Sequence, residues 1–458
     1  MEHLLRKYSA QARTREASYV TSNMTRHIVE NDLIGVGAGP ANLSLSALLS
    51  TARERGLTSV RAAFLEKNQA VFWHSGQIFP GTLMQTEFYR DLVTPIDPTN
   101  RFSFLNFLKV NGRLDQFFCS STIYPTRREF EDYFNWVARQ MADVLFATNV
   151  HSVDYNPETN LFVVEVENET QPQWRYESKH IVLGCGAGPK STNASLSGRV
   201  VDVSALLAFD FPNSLRRVLV AGGGQSAAEC VNYLLDQYAE TETQITWVTS
   251  ETAFRALDIS NFSRETYSAS YTSAFAALPK PYREKIIHDD RSVASGITPL
   301  VAQALYQRLY RLKYFTPPGT ANPSVHVQAN TEVLEIRDEA KGAMVTARSL
   351  PTGQTSVDVF DCVILCTGLD DETVFHSPII GAQLKGRIGK DDESNGYAIA
   401  WDGPPDRMIF VQSQNKITHG LGDANFVTAP ARNACILNSI TGKEIYRVDD
   451  DDRLVALR

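Results

Sequence analysis

Two glycine-rich turns, each set between an apolar run and a helical pattern, constrain this chain more than any other feature. The first is Gly35-Val-Gly37-Ala-Gly39-Pro40-Ala-Asn42, after the apolar Leu33-Ile34. Gly35 permits a tight turn, and Gly37 lets the backbone approach a pyrophosphate. Pro40 holds the third position of the G-x-G-x-x-G spacing. The helix start that follows offers unpaired N–H groups and the positive end of the macrodipole. The pattern predicts a helix over 41–55, with Leu43, Ala47 and Leu48 on one face, and a strand over 61–66. Glu66 ends that strand, where a carboxylate accepts from ribose hydroxyls. Its distance exceeds the usual ~20 residues, so the helix and loop between are expected to be extended.

The second turn is Gly222-Gly223-Gly224-Gln225-Ser226-Ala227, after Arg217-Val-Leu-Val-Ala221. It reads G-x-G-x-x-A, with Ala227 allowing close packing of helix on strand. A helix over 226–238 and a strand over 244–249 lead to Ser250-Glu251. A 2′-phosphate site usually places Arg or Lys here. Ser250 offers a hydrogen bond and Arg255 is within reach, while Glu251 opposes. A late strand over 361–366 runs into Thr367-Gly368. In two-dinucleotide flavoproteins such a Thr-Gly segment closes over the flavin.

The fold class that follows is α/β: a two-dinucleotide-binding flavoprotein with two Rossmann-like domains and a small, mostly helical substrate region. The expected division is a flexible extension over 1–29, a discontinuous FAD-binding domain over 30–205 and 350–458, and a nicotinamide-binding domain over 206–349. The helical substrate region falls at about 255–315. The strand at 361–366, coming after the second unit, suggests that the second domain is inserted in the first.

Composition narrows the partners. A net charge of −8 argues against nucleic acid. No apolar run approaches the ~18 residues of a membrane span. The six cysteines form no C-x-x-C, and no H-E-x-x-H occurs. A reduced, cytoplasmic protein without a metal site is expected. Arg6, Lys7, Arg13, Arg15 and Arg26 make the N-terminus basic, as in a transit peptide or a plain extension. Asp449–Asp452 read as a solvated acidic run.

Further motifs select within this class. They are Phe72-Trp73-His74-Ser75-Gly76, Met84-Gln85-Thr86-Glu87-Phe88-Tyr89-Arg90-Asp91-Leu92, Asp97-Pro-Thr-Asn100, Tyr124-Pro-Thr-Arg127 and Thr418-His-Gly-Leu421. In this order they resemble the N-hydroxylating flavoprotein monooxygenases, the lysine, ornithine and diamine N-monooxygenases of siderophore biosynthesis. The lysine branch looks nearer, through Asp97-Pro-Thr-Asn, Gly296-Ile-Thr and Ile436-Leu-Asn. The resemblance implies FAD, NADPH and O₂. It implies N-hydroxylation of a small primary amine, such as L-lysine or L-ornithine, through a C4a-hydroperoxyflavin shielded from water. It also implies a homo-oligomer, tetramer or dimer.

Carried onto this chain, the resemblance makes Gln85 the catalytic and flavin-side glutamine. Gly35, Gly37, Gly39, Pro40, Asn42, Glu66, Trp73 and His74 would hold FAD, with Thr367 and Gly368 closing over it. Gly222, Gly224, Gln225, Ser226 and Ser250 would hold NADPH. Arg90 stands where amino-acid hydroxylases carry a carboxylate-binding Lys, and Arg264 where ornithine enzymes carry an Asn. Thr428 stands near a substrate-contacting Ser. Two arginines suit an acidic group on the amine, or equally ion pairs of Arg90 with Glu87 or Asp91. The stretch Ala424-Asn-Phe-Val-Thr-Ala-Pro430 matches neither amino-acid branch well. A decarboxylated amine (putrescine, cadaverine or histamine) therefore stays open.

Another flavin oxidoreductase is the second reading. A disulfide reductase needs C-x₄-C, whereas Cys362 and Cys366 are spaced C-x₃-C. A Baeyer–Villiger linker, F-x-G-x-x-x-H, is replaced by Phe209-Asp-Phe-Pro-Asn-Ser-Leu215. A non-catalytic dinucleotide-binding regulator leaves the aromatic loops unexplained.

Overall fold

The computed structural model describes residues 27–168, 174–188, 190, 197–211, 215–369, 377–389, 397–448 and 454–455. Most of the expected N-terminal extension (1–26), the acidic run at 449–452 and linker residues 212–214 lie outside these.

The first sheet is built around His27–Val36. It lies parallel to Ala62–Leu65 on one side and to Trp174–Leu183 on the other. Leu33 and Ile34 point to opposite faces and are both wholly buried, as in a parallel sheet covered on both sides. Val144–Leu145 extends one edge. Beyond Trp174–Leu183 come Leu161–Asn168 and Thr148–Asn156, both antiparallel, and Ile409–Val411, parallel. The helix Pro40–Glu54 buries Leu43, Leu45, Ala47, Leu48 and Leu49. It packs against the helix Ala429–Thr441.

The second sheet runs Ser324–Gln328, Gln244–Val248, Arg217–Ala221, Cys362–Leu365, Val200–Asp202, all parallel. A three-stranded antiparallel sheet of Thr331–Glu339, Gly342–Ser349 and Thr355–Phe360 adjoins it. Residues 255–315 carry the helices Ala269–Ala276, Lys280–Asp289 and Pro299–Phe315 with a 3₁₀ turn at Ser263–Tyr267, helical as expected.

One expectation fails here. The strand at 361–366 was to return the chain to the first sheet. Instead Cys362–Leu365 pairs with Arg217–Ala221 and Val200–Asp202, inside the second sheet. Both strands thus fall across the expected 205 and 350 boundaries. The reason is physical: Cys-Val-Ile-Leu is apolar on both faces, and such a strand suits any parallel sheet without coding its neighbour. The strand that does return is Ile409–Val411, each residue wholly buried.

The aromatic loops of 71–135 form core beneath the first turn. Phe104 stacks obliquely on Phe130 at 4.9 Å and meets Phe117 and Tyr133 edge-on. Each such pair contributes about 0.5–1.5 kcal/mol beyond its buried area. Trp73 meets Phe134 edge-on at 5.3 Å, which fixes its indole at the edge of this cluster. No helix among the described residues is long and apolar enough to cross a membrane.

Candidate active site

The first glycine turn is held from three sides. Gly37 has φ +84°, and a Cβ there would lie 2.6 Å from the Gly184 carbonyl oxygen. A Cβ on Gly35 would strike the Phe64 ring at 2.3 Å. Gly39 caps the helix Pro40–Glu54 with no side-chain cap and no acid in the first turn. A Cβ on Gly39 meets nothing within 4 Å. Free N–H groups thus face an open cradle, which suits a diphosphate. Glu66 accepts from Ala38 N at 2.9 Å and from Asn68 N and Nδ2, which fixes its carboxylate on the cleft wall.

Asn42 does a different job from the expected cofactor contact. It is buried, and its Nδ2 donates to the carbonyls of Gly37 at 2.8 Å and Val36 at 3.2 Å. Gln412 donates to both Asn42 Oδ1 and Asn433 Oδ1, and Asn433 donates to Ala41 O. Arg432 in turn donates to Gln412 Oε1, Ser413 Oγ and Asp423 Oδ1. This buried chain ties the turn to residues 412–433, and sequence reasoning missed it. Its signal is a set of polar side chains, Asn433 and Arg432, inside the apolar pattern of the last helix.

The second turn repeats the design. A Cβ on Gly222 would lie 2.2 Å from the Cys366 carbonyl oxygen, and one on Gly223 2.5 Å from Thr249 Oγ1. Gly224 caps the helix Gln225–Gln237, again with no acid in the first turn, and its Cβ position is open. Thr367 and Gly368 are exposed and follow Cys366, whose carbonyl lies against Gly222, and the Gly368 carbonyl accepts from Lys190 N. Of this segment, Leu369 lines the cleft. Ser250 is exposed, and Glu251 pairs with Arg291 at 2.9 Å and Arg255 at 3.9 Å. The opposing carboxylate is thereby offset by two guanidinium groups.

One cleft of about 1020 Å³ reaches both turns. Gly37, Gly39, Pro40, Glu66, Trp73, His74 and Gln85 line it, and so do Gln225 and Ser226. The Gln225 side chain also donates to Glu229 and accepts from Thr298 N. Arg127 joins the two units through a buried ion pair with Glu229 at 2.8 Å. Burial raises the Glu229 pKa, against the lowering effect of Arg127. His74 is in a left-handed conformation, φ 53°. Its ring is open to the cleft but deep within the molecule. The crowding around it and the nearby Arg127 hold its pKa down at about 4, so it is neutral at pH 7.

The three expected substrate residues stand otherwise. Arg90 Nε pairs with Glu87 at 3.4 Å, and Arg264 pairs with the same carboxylate. Glu87 is 1% exposed, and neither arginine lines the cleft. Thr428 is buried, its hydroxyl committed to the carbonyls of Asn425 and Gly422. The cleft wall nearby is made instead by Thr86, Tyr267, Ala294, Leu421, Asn425 and Phe426. Tyr267 donates to Val293 O at 2.6 Å. Burial raises its pKa, against its hydrogen bond with Asn425 and the charges of Arg90 and Arg264.

Known proteins are similar to this chain in sequence and fold. The profile of L-lysine 6-monooxygenase/L-ornithine 5-monooxygenase matches residues 30–371. L-lysine N6-monooxygenase of Escherichia coli is 28% identical over 436 residues, 93% of this chain and 98% of that protein. Among solved structures, the cadaverine monooxygenase DfoA of Erwinia amylovora, bound to FAD, is 26% identical with a TM-score of 0.82. It aligns over 94% of this chain and 99% of its own. The ornithine N-hydroxylase KtzI of Kutzneria sp. 744, with reduced FAD, NADP⁺ and L-ornithine, is 27% identical with a TM-score of 0.82, over 90% and 99%. The two turns, the cleft and this likeness lead to one conclusion: the chain belongs to the L-lysine 6-monooxygenase/L-ornithine 5-monooxygenase family of FAD- and NADPH-dependent N-monooxygenases.

Proposed function

We propose that this protein hydroxylates the nitrogen of a small primary amine, using FAD, NADPH and O₂, for a hydroxamate siderophore or related metabolite. One observation carries the reading. A single cleft is lined by both glycine-turn helix starts, at Gly39-Pro40 and at Gln225-Ser226. FAD at the first turn would supply oxygen activation, after a hydride from NADPH at the second.

The chain's own residues have separable tasks in this reading. Gly37, Gly39, Pro40 and Glu66 would hold the FAD diphosphate and ribose, with Trp73 and His74 as wall. A neutral His74 adds no charge to that wall. Gln85 would lie beside the flavin ring and orient the reacting end of the amine. Asn42 positions the turn from behind. Gly222, Gly224, Gln225 and Ser226 would hold NADPH, with Ser250 and Arg255 at its 2′-phosphate. Phe426, Leu421 and Trp73 would exclude water from the reaction.

Two further parts of the reading have their own support. Tyr306, Tyr310 and Tyr314 follow one face of the helix Pro299–Phe315 and are 74%, 51% and 60% exposed. That aromatic stripe supports a homo-oligomer. None of the six cysteines is in a disulfide, which suits a cytoplasmic location.

The test is NADPH oxidation by the FAD-loaded protein, with hydroxylamine detection, across lysine, ornithine, putrescine, cadaverine and histamine. Amine-dependent N–OH product from at least one is expected. NADPH oxidation yielding only H₂O₂ with every amine contradicts the reading.

A further inference from the structure

We infer that Glu87 sets the substrate class: it occupies, from inside the protein, the place of a substrate carboxylate, so the site takes a primary amine that carries none. This rests on the N-hydroxylation reading above and narrows it.

The Glu87 side chain is 1% exposed, with Arg90 on one carboxylate oxygen and Arg264 on the other. Among the described residues, neither oxygen has a hydrogen-bond partner outside these two ion pairs. A carboxylate sealed from water depends on its counter-charges, because nothing else compensates its desolvation. Both guanidinium groups are therefore held back on Glu87. The cleft shows the result. Around Gln85 and Thr86 its wall is Tyr267, Ala294, Leu421 and Asn425, all neutral. Among the described residues, the Lys and Arg side chains that line the cleft are Lys67, which follows Glu66, and Arg127, which is paired with Glu229.

An α-carboxylate entering this end would lose its water and meet no cation. An amine without one loses nothing by the same arrangement. Glu87 is thus a positioning residue that acts through Arg90 and Arg264.

The experiment compares three matched pairs on the FAD-loaded enzyme: lysine with cadaverine, ornithine with putrescine, histidine with histamine. Each pair differs by the carboxylate alone. In the wild type, kcat/KM for hydroxylamine formation is expected to favour an amine over its parent amino acid by about 100-fold or more. Equal or better use of an amino acid overturns the inference while leaving N-hydroxylation intact. Absence of N–OH product from all six compounds overturns the underlying reaction instead. Glu87→Gln removes the internal counter-charge, and KM for an amino acid should fall at least tenfold relative to wild type. Glu87→Asp should retain wild-type selectivity. If Glu87→Gln binds FAD normally and gains nothing on amino acids, Glu87 does not set the class. If it fails to bind FAD, the wild-type ratio decides alone.

Discussion

Arg432 Nη1 lies 2.6 Å from Asp423 Oδ1, and neither side chain reaches solvent. Through Gln412 this ion pair supports Asn42, which holds the carbonyl of Gly37. Breaking a buried pair from one side leaves a charge uncompensated, at a cost of about 3–5 kcal/mol. Arg432→Met should therefore lower the unfolding free energy by that order in urea titration. Asn42→Ala removes only the last link, about 1–3 kcal/mol. It should weaken FAD binding roughly 10- to 100-fold in titration of the apoprotein, with far-UV circular dichroism retained. Tight FAD binding by Asn42→Ala would show that the turn holds itself.

Gly39 and Gly224 offer a cleaner separation of the two sites. Both have extended backbone at their helix starts and open space where a Cβ would stand. Valine adopts that backbone readily, so neither substitution strains the turn. Gly39→Val should yield a folded protein without flavin absorbance. Gly224→Val should keep its flavin while KM for NADPH rises at least tenfold. Loss of flavin from Gly224→Val would contradict the assignment of the two turns.

His180 predicts an acid limb in stability. It is 6% exposed, and its Nδ1 accepts from Met408 N, at the entry to the returning strand. Burial, with the charges of Arg407 and Lys179, lowers its pKa to about 4. The unfolded chain, near the ordinary 6.5, then binds a proton more readily than the folded one. Stability from this group is full above pH ~6.5 and is lost as pH falls toward 4, up to about 3 kcal/mol. His180→Gln, which cannot titrate, should flatten that part of a Tm-against-pH profile. An unchanged profile would place the acid limb on other groups.

The proposed NADPH site gives Arg255 a testable part in cofactor preference. Its guanidinium lies 3.9 Å from Glu251 and donates to Thr252 Oγ1 at 3.3 Å. Arg255→Ala should raise KM for NADPH about tenfold, the loss of one charge-assisted contact. KM for NADH, which has no 2′-phosphate, should hardly move. An equal rise for both would mean that Arg255 supports the domain rather than the phosphate.

Both glycine turns were legible in the sequence because backbone sterics demand glycine there: a side chain at Gly37 or Gly222 would collide with a carbonyl. The helices after them were legible from their apolar spacing. Strand partnership was not, since Cys362–Leu365 is apolar on both faces and its own pattern names no neighbour. The Arg90–Glu87 pair was one of two readings that the sequence left open, but the fate of Arg264 was not legible. A sequence shows that Glu87 stands three residues before Arg90, but not that Arg264 arrives at the same carboxylate from the other unit. Long-range polar pairing, as in Asn42–Gln412, likewise carries no local period.

The most direct test of the account is the ratio of hydroxylamine formed to NADPH consumed by the FAD-loaded enzyme under air, with its best amine. A single cleft joining both turns predicts nearly one hydroxylamine per NADPH, with little H₂O₂. NADPH consumption that yields H₂O₂ and no hydroxylamine with any amine would contradict it.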